Sequence, residues 1–88
     1  MSYTFIIPVH NEESTIPELL IELKRFSLEN EILIVDDGST DNTYKLLNNC
    51  KFCKTLKLNR NRGKGIAIRR GLEIAKFDKI VINDGDLE

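Results

Sequence analysis

EILIVDDGSTDN, residues 31–42, is the stretch from which the rest of the chain can be read. Four apolar residues, Ile32 to Val35, suit a parallel strand buried on both faces. Asp36 and Asp37 end that run, and Gly38 and Ser39 favour a turn. A turn with a helix cap needs one acid, and here there are two. Adjacent side chains at a strand end point to opposite sides, so one carboxylate can brace the turn while the other faces a crevice. A carboxylate facing a crevice could accept from the imide N–H of a uracil or from the edge of a guanine. Ser39, Thr40 or Asp41 is placed to cap a short helix carrying Tyr44, Leu47 and Cys50 on one side.

Working outward, the pattern alternates between two periods. Residues 3–9 (YTFIIPV) read as a strand and HNEEST as a polar loop. Thr15 followed by Glu18 has the spacing of a capping box, and Pro17 is tolerated in a first helical turn. Ile16, Leu19, Leu20 and Leu23 then share one helical face. Residues 54–58 predict a third strand, alternating and therefore nearer an edge, and 65–76 a third helix. Residues 78–83 predict a fourth strand. The order is β-α-β-α-β-α-β. The expected fold is α/β, an open, mostly parallel sheet with helices on both faces.

Eighty-eight residues form one small domain. Thirteen basic against fourteen acidic side chains give no support to a nucleic-acid binder held by phosphate contacts. No apolar run approaches the roughly 18 residues that span a bilayer, and the first residues lack a signal-peptide pattern. A cytoplasmic chain, or one working at the cytoplasmic face of a membrane, is the expectation. Cys50 and Cys53 are spaced C-x-x-C. They follow a helix, whereas a reactive pair opens one, and zinc needs about four ligands. They read as two reduced thiols.

In an open parallel sheet, ligands bind outside the carboxyl ends of the strands. All four strands deliver polar residues to that edge. Strand 1 brings His10, Asn11, Glu12 and Glu13, and strand 2 brings Asp36 to Ser39. Strand 3 brings Asn59 to Lys64, and strand 4 brings Asp84, Gly85, Asp86 and Glu88. Carboxylates converging on one crevice need a cation between them. Oxygen ligands alone favour a hard ion, Mg2+ or Mn2+, usually completed by substrate phosphates. Arg60, Arg62 and Lys64, with Gly63 and Gly65, suit a diphosphate cradle opening a helix. The glycine spacing there does not match a dinucleotide fingerprint.

Four motifs now stand in order: IIPVHNE at 6–12, IVDDGSTDNT at 34–43, NRGKG at 61–65 and DGDLE at 84–88. Together they resemble the family 2 glycosyltransferases of the GT-A fold, over nearly the whole chain. The resemblance implies the Rossmann-like N-terminal half of that fold, binding a UDP- or GDP-linked sugar. Pro8, His10 and Glu12 would line the nucleotide pocket. Asp37 would contact the base, Asp36 would support the same loop, and Ser39 would cap or lie close to the nucleoside. Lys64 would lie near the phosphates. Asp84 and Asp86 match the family's D-x-D, and Glu88 would join them at the metal.

DGDLE is most similar to the motif of the polyprenyl- and dolichyl-phosphate sugar transferases. That implies inverting transfer to a lipid phosphate. Residues 1–88 would be a single partial domain, the nucleotide-diphosphosugar-binding half, with the acceptor half and any catalytic base outside this sequence. Strand 4 would then be an exposed edge that invites pairing with a second copy or a complementing chain. Two alternatives remain open. One is a non-catalytic fragment that binds nucleotide or oligomerises without turnover. The other is a phospho-receiver, which would need its acidic pair after strand 1 and a fifth strand.

Overall fold

The computed structural model describes residues 1–83. The elements are β1 (Thr4–Val9), α1 (Ile16–Lys24), β2 (Glu31–Asp36), α2 (Thr43–Asn48), β3 (Lys54–Lys57), α3 (Lys64–Ile74) and β4 (Ile80–Ile82). The four strands form one sheet in the order β3-β2-β1-β4. Every ladder is parallel, as the unbroken apolar runs of β1 and β2 require.

Alternation along the two central strands builds a core on each face. Ile7, Val9, Ile32 and Ile34 pack with Ile16, Leu19, Leu23 and Leu47 of α1 and α2. Ile6, Leu33 and Val35 face the other way, toward Ala67 of α3. Helices therefore cover both faces. Ala67 and Gly71 lie one turn apart, and both are buried. A Cβ on Gly71 would stand 2.9 Å from Ile6 Cγ2. These two small residues form the notch that lets α3 lie close against β1 and β2.

The edges differ from a uniform buried sheet. β3 lies at one end of the sheet, as its alternation predicts. β4 lies at the other end, the exposed edge expected of strand 4, but it is only three residues long, and it leaves Ile82 48% exposed. Residues 78 and 79 belong to the turn before it.

Two expected caps are not made. The Thr15 side chain makes no cap bond with α1. Its hydroxyl instead donates back to the Glu12 carbonyl at 3.2 Å. The residue before α2 is Asn42, not Ser39, Thr40 or Asp41, and it too makes no side-chain cap bond. Asp41 reaches the first turn nonetheless, accepting from the Thr43 amide at 2.9 Å and from the Thr43 hydroxyl. That hydroxyl, with the Thr43 and Glu13 amides, holds the Asp41 carboxyl below its ordinary range against some opposing burial.

At the amino ends of the strands, Glu31 makes a clamp. Its carboxylate accepts from the Thr4 hydroxyl at 2.7 Å and from the Lys76 amide at 2.7 Å. It also pairs with the Lys54 ammonium at 3.1 Å. Thr4 in turn accepts from the Phe77 amide. One carboxylate thus joins β1, β2, β3 and the chain entering β4. Burial pushes its pKa up, but the Lys76 amide, the Thr4 hydroxyl and Lys54 outweigh that and hold it below the ordinary glutamate value. Nearby, burial and then the neighbouring Cys50 push the Cys53 thiol up to about 12. A thiol so far from ionisation is a poor nucleophile.

Candidate functional site

Three chain segments meet at the carboxyl ends of β1, β2 and β3. The first is the loop after β1. Asn11 there sits in the left-handed region at φ 49°, which Asn tolerates better than most residues. Its amide donates to the Ser39 hydroxyl at 2.9 Å, and its side-chain oxygen accepts from the Thr40 amide at 2.8 Å. The Glu12 amide donates to the buried Thr43 hydroxyl at 2.9 Å. The first two loops are thereby laced together.

The second segment is the turn after β2. Asp36 is fully buried, and one of its oxygens accepts from the Ser39 amide at 3.0 Å. Its other oxygen has no partner among the described residues. Asp37 turns the opposite way and is only 5% exposed. Its two oxygens accept from the Arg62 amide at 2.8 Å and the Gly63 amide at 3.0 Å. Those N–H groups precede the first turn of α3, where orphan donors and the helix dipole favour a carboxylate. Asp37 therefore caps α3 from another strand and pins the basic loop. Gly38, at φ 68°, completes the join: a Cβ there would fall 2.1 Å from the backbone carbon of Arg60.

His10 is the knot between all three segments. Its Nδ1 lies 2.8 Å from the Asp37 carbonyl oxygen, which can only accept, so Nδ1 carries the hydrogen. Nε2 faces the side-chain nitrogens of Asn61 at 3.1 Å and Asn11 at 3.3 Å. Both amides are oriented by backbone donors, Gly63 to Asn61 Oδ1 and Thr40 to Asn11 Oδ1. Nε2 is accordingly the acceptor. The ring's tautomer is fixed by three neighbours rather than assumed.

These segments enclose a cleft of about 250 Å³ lined by Pro8, Val9, His10, Glu12, Asp37, Asn61, Gly63 and Lys64. Five of the residues singled out from sequence, Pro8, His10, Glu12, Asp37 and Lys64, meet there. Asp36 and Ser39 stand behind it as braces. Asn61 was not singled out as a site residue. It both lines the cleft and orients His10, and its place in the NRGKG motif was the available signal. Asp84, Asp86 and Glu88 lie outside the described residues. Among the described residues no three His, Cys, Asp or Glu side chains gather to hold a metal. A larger hollow, about 550 Å³, opens at the amino ends of the strands beside Glu31 and Lys54. The smaller cleft is the candidate, because the carboxyl ends of β1, β2 and β3 and the N-terminus of α3 converge there.

Comparison with known proteins agrees with this geometry. The family model described as "Glycosyl transferase family 2" matches residues 4–88. An undecaprenyl-phosphate 4-deoxy-4-formamido-L-arabinose transferase of Pseudomonas fluorescens (strain SBW25) is 37% identical over 94 residues, covering 97% of this chain and 28% of that protein. A poly-beta-1,6-N-acetyl-D-glucosamine synthase of Staphylococcus aureus (strain COL) is 36% identical, over 94% of this chain and 21% of its own length. Among solved structures, the mannosyltransferase PcManGT from Pyrobaculum calidifontis, in complex with GDP-Man and Mn2+, superposes with a TM-score of 0.85. It is 26% identical and covers 96% of this chain, which spans 27% of it. S. aureus TarS 1-349 gives a TM-score of 0.84 at 31% identity, with 98% and 28% covered. The chain thus spans between about a fifth and little more than a quarter of these relatives.

Proposed function

The chain belongs to glycosyl transferase family 2, and from that premise we propose that it is the part that binds a nucleotide diphosphate sugar for inverting transfer. The observation that carries this reading is the cleft itself, which draws Pro8, His10, Glu12, Asp37 and Lys64 from three strand ends into one hollow. Its volume of about 250 Å³ suits part of a nucleotide. The walls supply what a nucleoside needs: an apolar flank in Pro8 and Val9, amide and imidazole groups in Asn61 and His10, and a carboxylate in Asp37.

The roles divide by chemistry. Both Asp37 oxygens hold amides of the basic loop, and each retains a second lone pair for a base N–H. Lys64, in the first turn of α3, offers positive charge to the diphosphate beside the helix N-terminus. His10 keeps the three loops in register and presents its ring to the cleft. Asp84, Asp86 and Glu88 fit a magnesium or manganese ion, since all their donor atoms are hard oxygens. β4 runs parallel to β1, so its carboxyl end lies at the same sheet edge as the cleft. Such an ion, when bound, offsets charge on the departing diphosphate. PcManGT, with its GDP-Man and Mn2+, supports both the ligand class and the ion. The lipid-phosphate acceptor follows from the undecaprenyl-phosphate transferases alone.

Calorimetric titration with UDP and with GDP, in manganese and in chelator, tests the reading. The expected result is manganese-dependent binding of one nucleotide, lost in Asp86→Ala. A folded chain that binds neither nucleotide would sink the donor-site reading and leave the family membership standing.

A further inference from the structure

The thirteen basic side chains are unevenly placed. Seven of them, Lys54, Lys57, Arg60, Arg62, Lys64, Arg69 and Arg70, fall within residues 54–72, a stretch that holds no acid. The rest of the chain carries six bases against fourteen acids. In a molecule with a net charge of −1, positive charge is thus concentrated along β3, its following loop and α3.

A second cleft, about 190 Å³, opens within that stretch between β3 and α3. Leu56, Leu58 and Ile66 wall it, and Arg62 and Arg70 bring charge to it. No acid lines it. Among the described residues neither guanidinium takes part in an ion pair. Lys57 lines it as well, but its ammonium stands 4.7 Å from the centre of the Tyr44 ring of α2, across the sheet from α3. The cleft shares no lining residue with the one at the strand ends. The loop between them serves both: Asn61 and Gly63 turn to the first, Asn59 and Arg62 to the second.

Two guanidinium groups beside one hollow repel one another, and an anion seated between them relieves that repulsion. Two arginine forks match the several oxygens of a phosphate better than the two of a carboxylate. The apolar walls of Leu56, Leu58 and Ile66 suit the ester side of the group. We propose that the cleft between β3 and α3 binds a phosphate ester, at a site separate from the strand-end cleft. The phosphate can belong to a small soluble molecule or to an anionic lipid headgroup.

Two arms distinguish these sources at constant ionic strength. The first titrates the chain with inorganic phosphate, followed by calorimetry and by amide shifts at Leu58 and Ile66. The second sediments it with phosphatidylglycerol vesicles against phosphatidylcholine vesicles. Arg70→Gln and Arg62→Gln are each expected to weaken binding about tenfold, the loss of one charge-assisted hydrogen bond. Arg69→Gln removes the same charge one residue away from the cleft lining and is expected to change little. Phosphate binding with this pattern assigns a soluble ligand, and vesicle binding alone with this pattern assigns a headgroup. Equal losses in Arg69→Gln and Arg70→Gln, or no binding in either arm, overturn the proposal. Arg70→Gln should leave manganese-dependent nucleotide binding intact, so failure here and failure of the donor-site reading are separately visible.

Discussion

At the scale of single residues, the site depends on close approaches that tolerate no substitute. Gly38 has both a positive φ and a backbone carbon where its Cβ would go. Gly38→Ala is expected to cost about 2–4 kcal/mol, combining left-handed strain with an overpacked contact. Urea denaturation checks this, and nucleotide titration should show weaker binding, because Arg60 and Asn61 must move. An alanine variant of unchanged stability would mean that the turn does not rest on Arg60. The sequence marked Asp36 and Asp37 as a functional pair, and their opposite orientations follow from strand geometry. It could not reveal that Asp37 holds the Arg62 and Gly63 amides 25 and 26 positions away. Nor could it show that Asn11 and Asn61 converge on one imidazole. Such contacts depend on how loops from different strands meet, and no local pattern encodes that.

At the scale of elements, periodicity located all seven, with ends displaced by one or two residues. The errors are instructive. Thr15 and Glu18 have the spacing of a capping box, but the Thr15 hydroxyl finds the Glu12 carbonyl first. A side chain at a helix start has several acceptors within reach, and spacing alone does not choose among them. The run at 78–83 gives only a three-residue β4, since composition reports the preference for burial and not the neighbours available. The notch in α3 makes a graded prediction. Gly71→Ala must push Ile6 aside yet gains helix propensity, so it is expected to cost about 1 kcal/mol or less. Gly71→Leu has no such offset and is expected to cost about 3 kcal/mol. Thermal denaturation of the two variants checks the ordering, and equal midpoints would contradict close packing of α3 on β1.

At the scale of the whole molecule, the two ends of the sheet do different work. The carboxyl ends carry the cleft, and the amino ends are fastened at Glu31. Its carboxyl is held below the ordinary value in the folded chain. The folded state therefore binds fewer protons than the unfolded one across the interval between the two pKa values, and stability rises with pH there. The contribution is complete above the unfolded value, near 4.5, and fades as pH falls through the lower folded value. Glu31→Gln should be less stable than the parent at pH 7, and the gap should narrow on acidification below pH about 4.5. Denaturant midpoints measured across that range test it, and a gap independent of pH would remove Glu31 from the account. The sequence placed no cluster at this edge, because the clamp's partners are a hydroxyl, an amide and a lysine from distant segments.

The strand order has a kinetic side as well. Thr4 meets Glu31 27 positions on, but it meets Phe77, at the entrance to β4, only 73 positions on. Closing the longer loop costs about 0.9 kcal/mol more in chain entropy, and β4 offers only three residues of pairing in return. The central strands can associate while β4 is still loose. β4 is therefore expected to dock after the central strands during folding.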